Sequence, residues 1–192
     1  QLQDLFFHEF ISVTQVKEAV NSVSLKINKD YKETSPVFLI VLNGAFFFGS
    51  DLIKQFDRTC EMSFIKVASY KGTKSSGVVS KVMGLDMSLK GRDVILVEDI
   101  VDSGNTIEAI LKMLKQEHVK SCKIATLFYK PLAYKKNYPI DYVGMEIGND
   151  FIVGYGLDYN GLGRNLSAIY KLKPRKMKNI VLFGPPGAGK GT

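Results

Sequence analysis

Cysteine and histidine are scarce in this chain, and tryptophan is absent. Of 192 residues, two are cysteine and two are histidine. Cys60 and Cys122 lie far apart and lack the spacing of metal ligands, which argues against a zinc site and against a disulfide framework. We expect both to be reduced residues of the core.

Long hydrophobic runs are also missing. The longest, Val37 to Leu42, is far shorter than the roughly 20 residues that span a bilayer. Asp4, His8 and Glu9 interrupt any apolar signal-like stretch near the start, and Gln1 stands where a Met would begin the chain. We therefore expect a cytoplasmic protein without a membrane partner, whose N-terminal start was trimmed or lost.

The net charge of +7 raises the question of nucleic acid binding. Much of this charge lies in the basic cluster at positions 171–178, which has no interleaved aromatic residues. Such a cluster is typical of a solvated surface or a linker. Anionic small-molecule substrates explain a positive bias equally well, so nucleic acid is not the expected partner.

Strand and helix patterns alternate along most of the chain. Thr14 can cap a helix with an apolar face at positions 16, 20, 23 and 27. Strands are predicted at 37–42, 62–69, 78–83, 94–97 and 121–129, with helices from about 45 to 56 and after position 106. This order predicts an α/β fold, a mainly parallel sheet flanked by helices. From Tyr134 onward, short strands and turns predict a small cap.

The stretch from Val94 to Glu108, VILVEDIVDSGNTIE, is the most informative. Four apolar residues predict a buried strand, and Glu98 and Asp99 follow it directly. Asp102 comes next, before the turn Ser103-Gly104-Asn105-Thr106 and a helix. Acids, a glycine turn and a helix N-terminus thus meet at the carboxyl end of one strand, where open α/β sheets bind ligands.

The chemistry of this loop suggests a sugar phosphate. The amides and hydroxyls of the turn can hold a phosphate at the positive end of the helix. The carboxylates would repel a second phosphate, but they suit sugar hydroxyls, directly or through a divalent cation. Together these groups describe a site for a 5-phosphoribosyl group.

Two further segments suggest parts of the same site when they are considered together with this loop. Asn43-Gly44 is by itself only a good turn dipeptide, but paired with the first loop it becomes a possible pyrophosphate cradle. Tyr70 to Gly77 is polar and flanked by glycine, which suits a lid that expels water from the reaction.

Three motifs carry a family resemblance. The order E-D-x-x-D-S-G-N-T resembles the 5-phosphoribosyl 1-diphosphate (PRPP) loop of type I phosphoribosyltransferases, and Ser69-Tyr70 resembles the opening of their mobile loop. The segment Glu146–Leu166 closely resembles the purine-binding segment of hypoxanthine-guanine phosphoribosyltransferases. This resemblance spans roughly residues 5 to 172 and implies the type I phosphoribosyltransferase fold, whose small cap is called the hood.

The resemblance implies a role for each matching residue. On the PRPP side, Asp102 is the general base, Glu98 and Asp99 contact the ribose hydroxyls, and Glu98, Asp99 and Asp158 serve Mg²⁺. The remaining PRPP contacts come from Ser103, Gly104, Asn105 and Thr106, and the pyrophosphate contacts from Leu42, Asn43, Gly44 and Arg164. A cis peptide is expected at the Leu42–Asn43 bond.

On the purine side, the resemblance gives Lys130 a hydrogen bond to the 6-oxo group. It also places the ring of Phe151 against the purine, the main chain of Ile152 near the exocyclic position, and Asp158 near the purine edge. The implied reaction is Mg²⁺-dependent purine salvage, which makes IMP or GMP and pyrophosphate from PRPP. A homodimer or homotetramer is implied as well.

Some alternatives stay open. A regulatory RNA-binding protein of the same fold would respond to PRPP or nucleotides without catalysis. Lys130 argues against adenine as the acceptor, but a xanthine-preferring transferase is not excluded by the residues. Asn43 stands where many relatives have a basic residue, which leaves the affinity for pyrophosphate open.

The glycine-rich end carries a different motif. Gly184 to Thr192 fits the phosphate-binding pattern with Gly184, Gly189, Lys190 and Thr192, and MKNIVLFGPPGAGKGT closely resembles the start of adenylate kinases. We expect a phosphoribosyltransferase domain at 1–173, a linker at 174–178 and a truncated kinase start at 179–192. Without the helix that must follow the glycines, this segment should be inactive.

Overall fold

Two β-sheets and three α-helices make up the described part of this computed structural model. It describes residues 1–71 and 78–173, with the backbone alone at 68–71 and 78–83. The main sheet has the strand order β4-β3-β2-β5-β6-β7. Its strands are β2 (Val37–Leu42), β3 (Glu61–Lys71), β4 (Val78–Met83), β5 (Asp93–Val101), β6 (Ser121–Tyr129) and β7 (Tyr142–Glu146).

The predicted, mainly parallel sheet is confirmed, and one edge strand is antiparallel. Neighbouring strands from β3 to β7 pair in parallel, whereas β4 is antiparallel to β3. The helices α1 (Val13–Asp30) and α2 (Phe46–Lys54) pack on one face of this sheet, and α3 (Asn105–Gln116) packs on the other. Ligand-binding turns that follow these strands therefore lie along one edge.

Strand β2 shows how the sequence divides the core between the two faces. Phe38 and Ile40 pack with the α1 and α2 side, while Leu39 and Val41 pack with the α3 side. Alternate side chains of a strand point to opposite faces, so a run of apolar residues serves two cores at once. On the other side of the second core, α3 buries Ile107, Ile110 and Leu114.

Helix α1 begins earlier than the sequence analysis predicted. Its N-cap is Ser12, not Thr14, because Ser12 and Gln15 form a capping box. The Gln15 amide donates to Ser12 Oγ at 3.3 Å, and the Ser12 amide donates to Gln15 Oε1 at 2.9 Å. The predicted apolar face is confirmed, since Val16, Val20, Val23 and Ile27 are all buried.

The hood is a three-stranded antiparallel sheet with the order β1-β9-β8. It joins β1 (Phe7–Ile11) from the N-terminal end to β8 (Ile152–Val153) and β9 (Ile169–Leu172). The predicted start of the cap at Tyr134 was wrong, because β7 extends the main sheet by pairing with β6. The sequence analysis did not predict β1, because a segment of five residues is too short to show a clear strand pattern. No helix within the described ranges is long and apolar enough to cross a membrane.

Candidate active site

The first two acids of the most informative stretch, Glu98 and Asp99, lie in a strand rather than after it. Strand β5 continues to Val101, and Glu98 pairs with Thr126 of β6. The predicted strand end at Val97 was therefore wrong, because pairing with β6 continues beyond the apolar run. As a consequence Glu98 is buried within the strand, whereas Asp102 follows the strand and is exposed in the turn.

The turn after β5 has the geometry of a phosphate site. Gly104 is the N-cap of α3 with a φ of +83°, and no side chain in the described part of the chain caps this helix. Its first amides therefore lack a side-chain acceptor, an arrangement that suits an anion. A pocket of about 70 Å³ opens here, lined by Glu98 and by residues 100–107. A Cβ on Gly104 would collide with the Tyr134 ring, so glycine also allows that ring to cover the turn.

Burial determines the electrostatics of the two acids in β5. Glu98 Oε2 is buried and has no hydrogen-bond partner within residues 1–71 and 78–173. Burial together with the neighbouring Asp99 raises the pKa of Glu98 well above its ordinary value. Burial raises the pKa of Asp99 to about 6, although the Ile100 amide donates to its Oδ1 at 2.8 Å. Both groups would gain from a hydroxyl or a cation, because such a partner compensates for lost hydration.

The second turn lies directly against these acids. The Leu42–Asn43 peptide is cis, as predicted, and α2 begins at Phe46. Gly44 packs so closely on Asp99 that a Cβ there would collide with the carboxylate. The turn after β2 and the acids of β5 therefore form one continuous surface, because β2 and β5 are neighbours in the sheet.

The loop between β8 and β9 completes this surface. Arg164 Nη2 lies 2.6 Å from Asp158 Oδ1, and Arg164 Nη1 donates to the Gly156 carbonyl at 2.5 Å. Gly156 in turn packs against the Gly44 carbonyl. The charges of Arg164 and Asp158 both act on Asp99, the first lowering its pKa and the second raising it. Residues predicted from three separate segments are thus brought together.

Asp102 and Lys130 form an ion pair beside the phosphate turn. Lys130 Nζ donates to Asp102 Oδ2 at 3.0 Å, and the Lys130 amide donates to the Val101 carbonyl at 3.0 Å. The Lys130 side chain is 10% exposed, whereas that of Asp102 is 54% exposed. A buried lysine that shares its charge with an accessible acid is poised to offer one donor and one acceptor to a ligand.

Phe151 and Ile152 belong to the hood. Phe151 is 44% exposed and packs edge-on against Tyr159, with ring centroids 5.9 Å apart, and also contacts Phe7. Ile152 is buried in β8. Because nearly half of its surface is exposed, Phe151 is accessible for stacking on a planar ligand.

Comparison with known proteins agrees with this geometry. The family model described as "Phosphoribosyl transferase domain" matches residues 12–160. A hypoxanthine-guanine phosphoribosyltransferase of Bacillus subtilis is 41% identical over 165 residues, which cover 85% of this chain and 92% of the relative. The chain belongs to the hypoxanthine-guanine phosphoribosyltransferase family.

Further relatives support the assignment to this transferase family. A hypoxanthine-guanine phosphoribosyltransferase of Streptococcus thermophilus is 40% identical over 173 residues, covering 90% of this chain and 94% of the relative. The crystal structure of a hypoxanthine phosphoribosyltransferase from Staphylococcus aureus has a TM-score of 0.79 and 35% identity, covering 92% of this chain and 96% of that one. The predicted type I phosphoribosyltransferase fold is therefore confirmed.

Some predicted features of the transferase lie at or beyond the limits of the described residues. Ser69 and Tyr70 lie within β3, which continues to Lys71 and pairs them with Ser80 and Val79 of β4. The strand was predicted to end at Ser69, so its length was underestimated. Residues 72–77 of the predicted lid lie outside the described residues, as do the linker and Gly184, Gly189, Lys190 and Thr192 of the glycine-rich end.

Sequence reasoning missed residues that hold the transferase site together. Tyr134 covers the phosphate turn, and Tyr155 donates from the hood to Asp51 of α2 at 2.5 Å. The close contact between Gly156 and Gly44 was missed as well. The segment Gly154-Tyr155-Gly156 carried a signal, because two glycines around one residue indicate an unusual backbone.

Proposed function

We propose that this enzyme transfers the 5-phosphoribosyl group of PRPP to N9 of hypoxanthine or guanine, giving IMP or GMP and pyrophosphate. The observation that carries the proposal is the Asp102–Lys130 ion pair beside the uncapped N-terminus of α3. The helix end suits the 5-phosphate, and the pair suits a 6-oxopurine.

The PRPP contacts follow from the two turns. Ser103, Gly104, Asn105 and Thr106 would bind the 5-phosphate through amides and hydroxyls. The diphosphate would lie against Leu42, Asn43 and Gly44, where Arg164 supplies positive charge. Glu98 and Asp99 would accept hydrogen bonds from the ribose hydroxyls, which would satisfy the unpartnered oxygen of Glu98.

The carboxylates fit a role in Mg²⁺ binding together with the substrate. Mg²⁺ in nucleotide sites is typically held by one or two carboxylates, substrate phosphates and water. The charge of Asp158 raises the pKa of Asp99, and Glu98 has an oxygen without a partner among the described residues. Among the described residues, no group of three or more acids, histidines or cysteines is arranged to hold a metal alone. When bound, Mg²⁺ would neutralise the diphosphate leaving group.

Purine recognition would use residues of both the main sheet and the hood. Lys130 would donate to the 6-oxo group, whereas the 6-amino group of adenine would place donor against donor. Phe151 would stack on the ring, the main chain of Ile152 would face the 2-position, and Asp158 would lie near the purine edge. This set explains a choice against adenine, but it leaves xanthine to be tested.

The chemical step transfers one proton and one sugar. The bond between C1 of the ribose and the diphosphate oxygen breaks, the bond from C1 to N9 forms, and pyrophosphate leaves with the electron pair. Asp102 would take the N7 proton, which prevents positive charge from remaining on the purine. Lys130 would then hold the 6-oxo group and keep the base oriented.

Initial rates with PRPP, Mg²⁺ and each of four bases test this proposal. Turnover of hypoxanthine and guanine without turnover of adenine is expected. Turnover of xanthine above both would favour a xanthine-preferring transferase. PRPP binding without turnover of any base would favour the regulatory, RNA-binding alternative.

We also propose the remaining features that the family resemblance suggests. These are a transferase domain at 1–173, a linker at 174–178, an inactive adenylate kinase start at 179–192 and a homodimeric or homotetrameric state. Phe46 and Phe47 of α2 are exposed side by side and would suit a contact between copies. Light scattering would measure the assembly, and an ATP:AMP phosphotransfer assay would show whether the kinase start is inactive.

A further inference from the structure

Three consecutive residues of the hood loop have a left-handed backbone. The φ angles are +111° at Gly154, +47° at Tyr155 and +101° at Gly156. Tyrosine seldom adopts this conformation, so the surrounding contacts must hold it there. The Tyr155 amide donates to the Leu166 carbonyl at 2.7 Å, which fixes one side of the reversal.

The side chain of Tyr155 attaches this reversal to α2. Its hydroxyl donates to Asp51 Oδ2 at 2.5 Å, and its ring lies 6.0 Å from that of Phe47. Burial, followed by the bond to Asp51, raises the pKa of Tyr155, so the hydroxyl stays a donor at neutral pH. Both partners lie on the helix that directly follows the Asn43-Gly44 turn.

The main chain beside Tyr155 touches two groups assigned to pyrophosphate. Gly156 packs on the Gly44 carbonyl, and its own carbonyl accepts the hydrogen bond from Arg164 Nη1. A shift of Tyr155 would therefore move the pyrophosphate turn and the guanidinium together. The partly buried hydrogen bond from Tyr155 to Asp51 of the same helix opposes that shift.

We propose that Tyr155 is a positioning residue for pyrophosphate recognition, acting through its hydrogen bond to Asp51. The proposal rests on the proposed function, because it needs Gly44 and Arg164 to face the diphosphate. Tyr155 would not touch the substrate. It would hold the hood against α2 at the distance that the diphosphate requires.

The variant Tyr155→Phe tests this role, because it removes the hydroxyl and keeps the ring. We expect roughly tenfold higher KM values for PRPP and, in the reverse reaction, for pyrophosphate, with little change in the KM for hypoxanthine. Tyr142→Phe is the matched control, since Tyr142 donates to Asp30 Oδ2 at 2.7 Å on the α1 side. Tyr142→Phe should lower the midpoint of thermal unfolding and leave the KM values for PRPP and pyrophosphate unchanged.

Variants of Asp51 separate positioning from general stability. Asp51→Asn keeps an acceptor for the Tyr155 hydroxyl, so its KM for PRPP should stay close to that of the unmodified enzyme. Asp51→Ala removes the acceptor and should raise the KM for PRPP as much as Tyr155→Phe does. In the double variant Tyr155→Phe/Asp51→Ala, the increases in the KM for PRPP should not add, because both substitutions remove the same hydrogen bond. If the unmodified enzyme turns over but Tyr155→Phe changes all parameters equally, or changes none, the positioning role is wrong. If the unmodified enzyme does not turn over at all, the proposed function itself fails.

Discussion

At the scale of single residues, the site depends on contacts that leave no room for a side chain. Gly44 lies between the Asp99 carboxylate and Gly156, so three backbone or acidic groups from different elements meet at one point. Such contacts cannot be predicted from a turn dipeptide, because Asn-Gly fits many turns. They require knowledge of which strands are neighbours.

We predict that Gly44→Ala nearly abolishes transfer. Its Cβ would collide with Asp99, which must move away from the ribose position. Displacements of this kind cost about 100-fold in kcat/KM. Gly148→Ala is a suitable control, because its Cβ would lie 3.5 Å from Asp150 Oδ2, an ordinary contact. Equal activity of both variants would show that the two turns do not act together.

A second prediction at this scale concerns base selection. Lys130→Gln should raise the KM for hypoxanthine about tenfold and improve relative turnover of adenine, because an amide both donates and accepts. Rates with the two bases at fixed PRPP measure the ratio. An unchanged ratio of hypoxanthine to adenine turnover would remove Lys130 from base recognition.

At the scale of elements, periodicity predicted the main sheet and α3 well, because long apolar runs and regular spacing dominate those segments. It failed where a strand contained acids, as at Glu98 and Asp99, since charged residues usually end a buried strand. It also failed for the hood, where β1 and β9 pair across nearly the whole chain. The ion pair of Asp102 and Lys130 was missed for the same reason, because 28 positions separate them.

One element contact gives a prediction for pH. Lys123 and Tyr142 both donate to Asp30 at the end of α1 and hold the pKa of its carboxyl below the ordinary value. A lowered folded-state pKa means that this stabilisation is present above the unfolded pKa of about 3.9 and is lost as the pH falls through the folded pKa.

Asp30→Asn should therefore lower the free energy of unfolding by about 1 kcal/mol at pH 7, a figure reduced for solvent screening. The difference from the unmodified chain should shrink below pH 4 and vanish once Asp30 is protonated. Urea unfolding at several pH values measures it. Glu33→Gln, on the exposed turn after α1, serves as the control. A difference that grows as the pH falls would contradict the assigned direction.

At the scale of the whole molecule, the proposed site combines residues from both sheets. The acids, both turns and Lys130 belong to the main sheet and the turns that follow its strands, whereas Phe151, Asp158 and Arg164 belong to the hood and its β8–β9 loop. The last described residue is joined to the N-terminal part of the hood, because the Lys173 amide donates to the Phe6 carbonyl at 2.8 Å. All residues assigned to the transfer reaction therefore precede position 174.

We predict that a chain ending at Lys173 keeps the kcat and KM of the full chain, because the proposed site and the hydrogen bond from Lys173 to Phe6 are then complete. Lys190→Ala in the full chain should be equally silent in transfer. Steady-state kinetics and thermal unfolding of the three proteins measure this. Loss of transfer on truncation would show that residues 174–192 serve the transferase.

The most direct test of the central claim is the single-turnover rate of Asp102→Ala, measured together with its PRPP affinity. The claim is that the turn after β5 binds PRPP and that Asp102 removes the purine proton. We predict a rate lower by roughly 10² to 10⁴-fold with PRPP binding retained. An undiminished rate would contradict the role of Asp102, and loss of PRPP binding with the rate intact at saturation would assign it to the sugar phosphate instead.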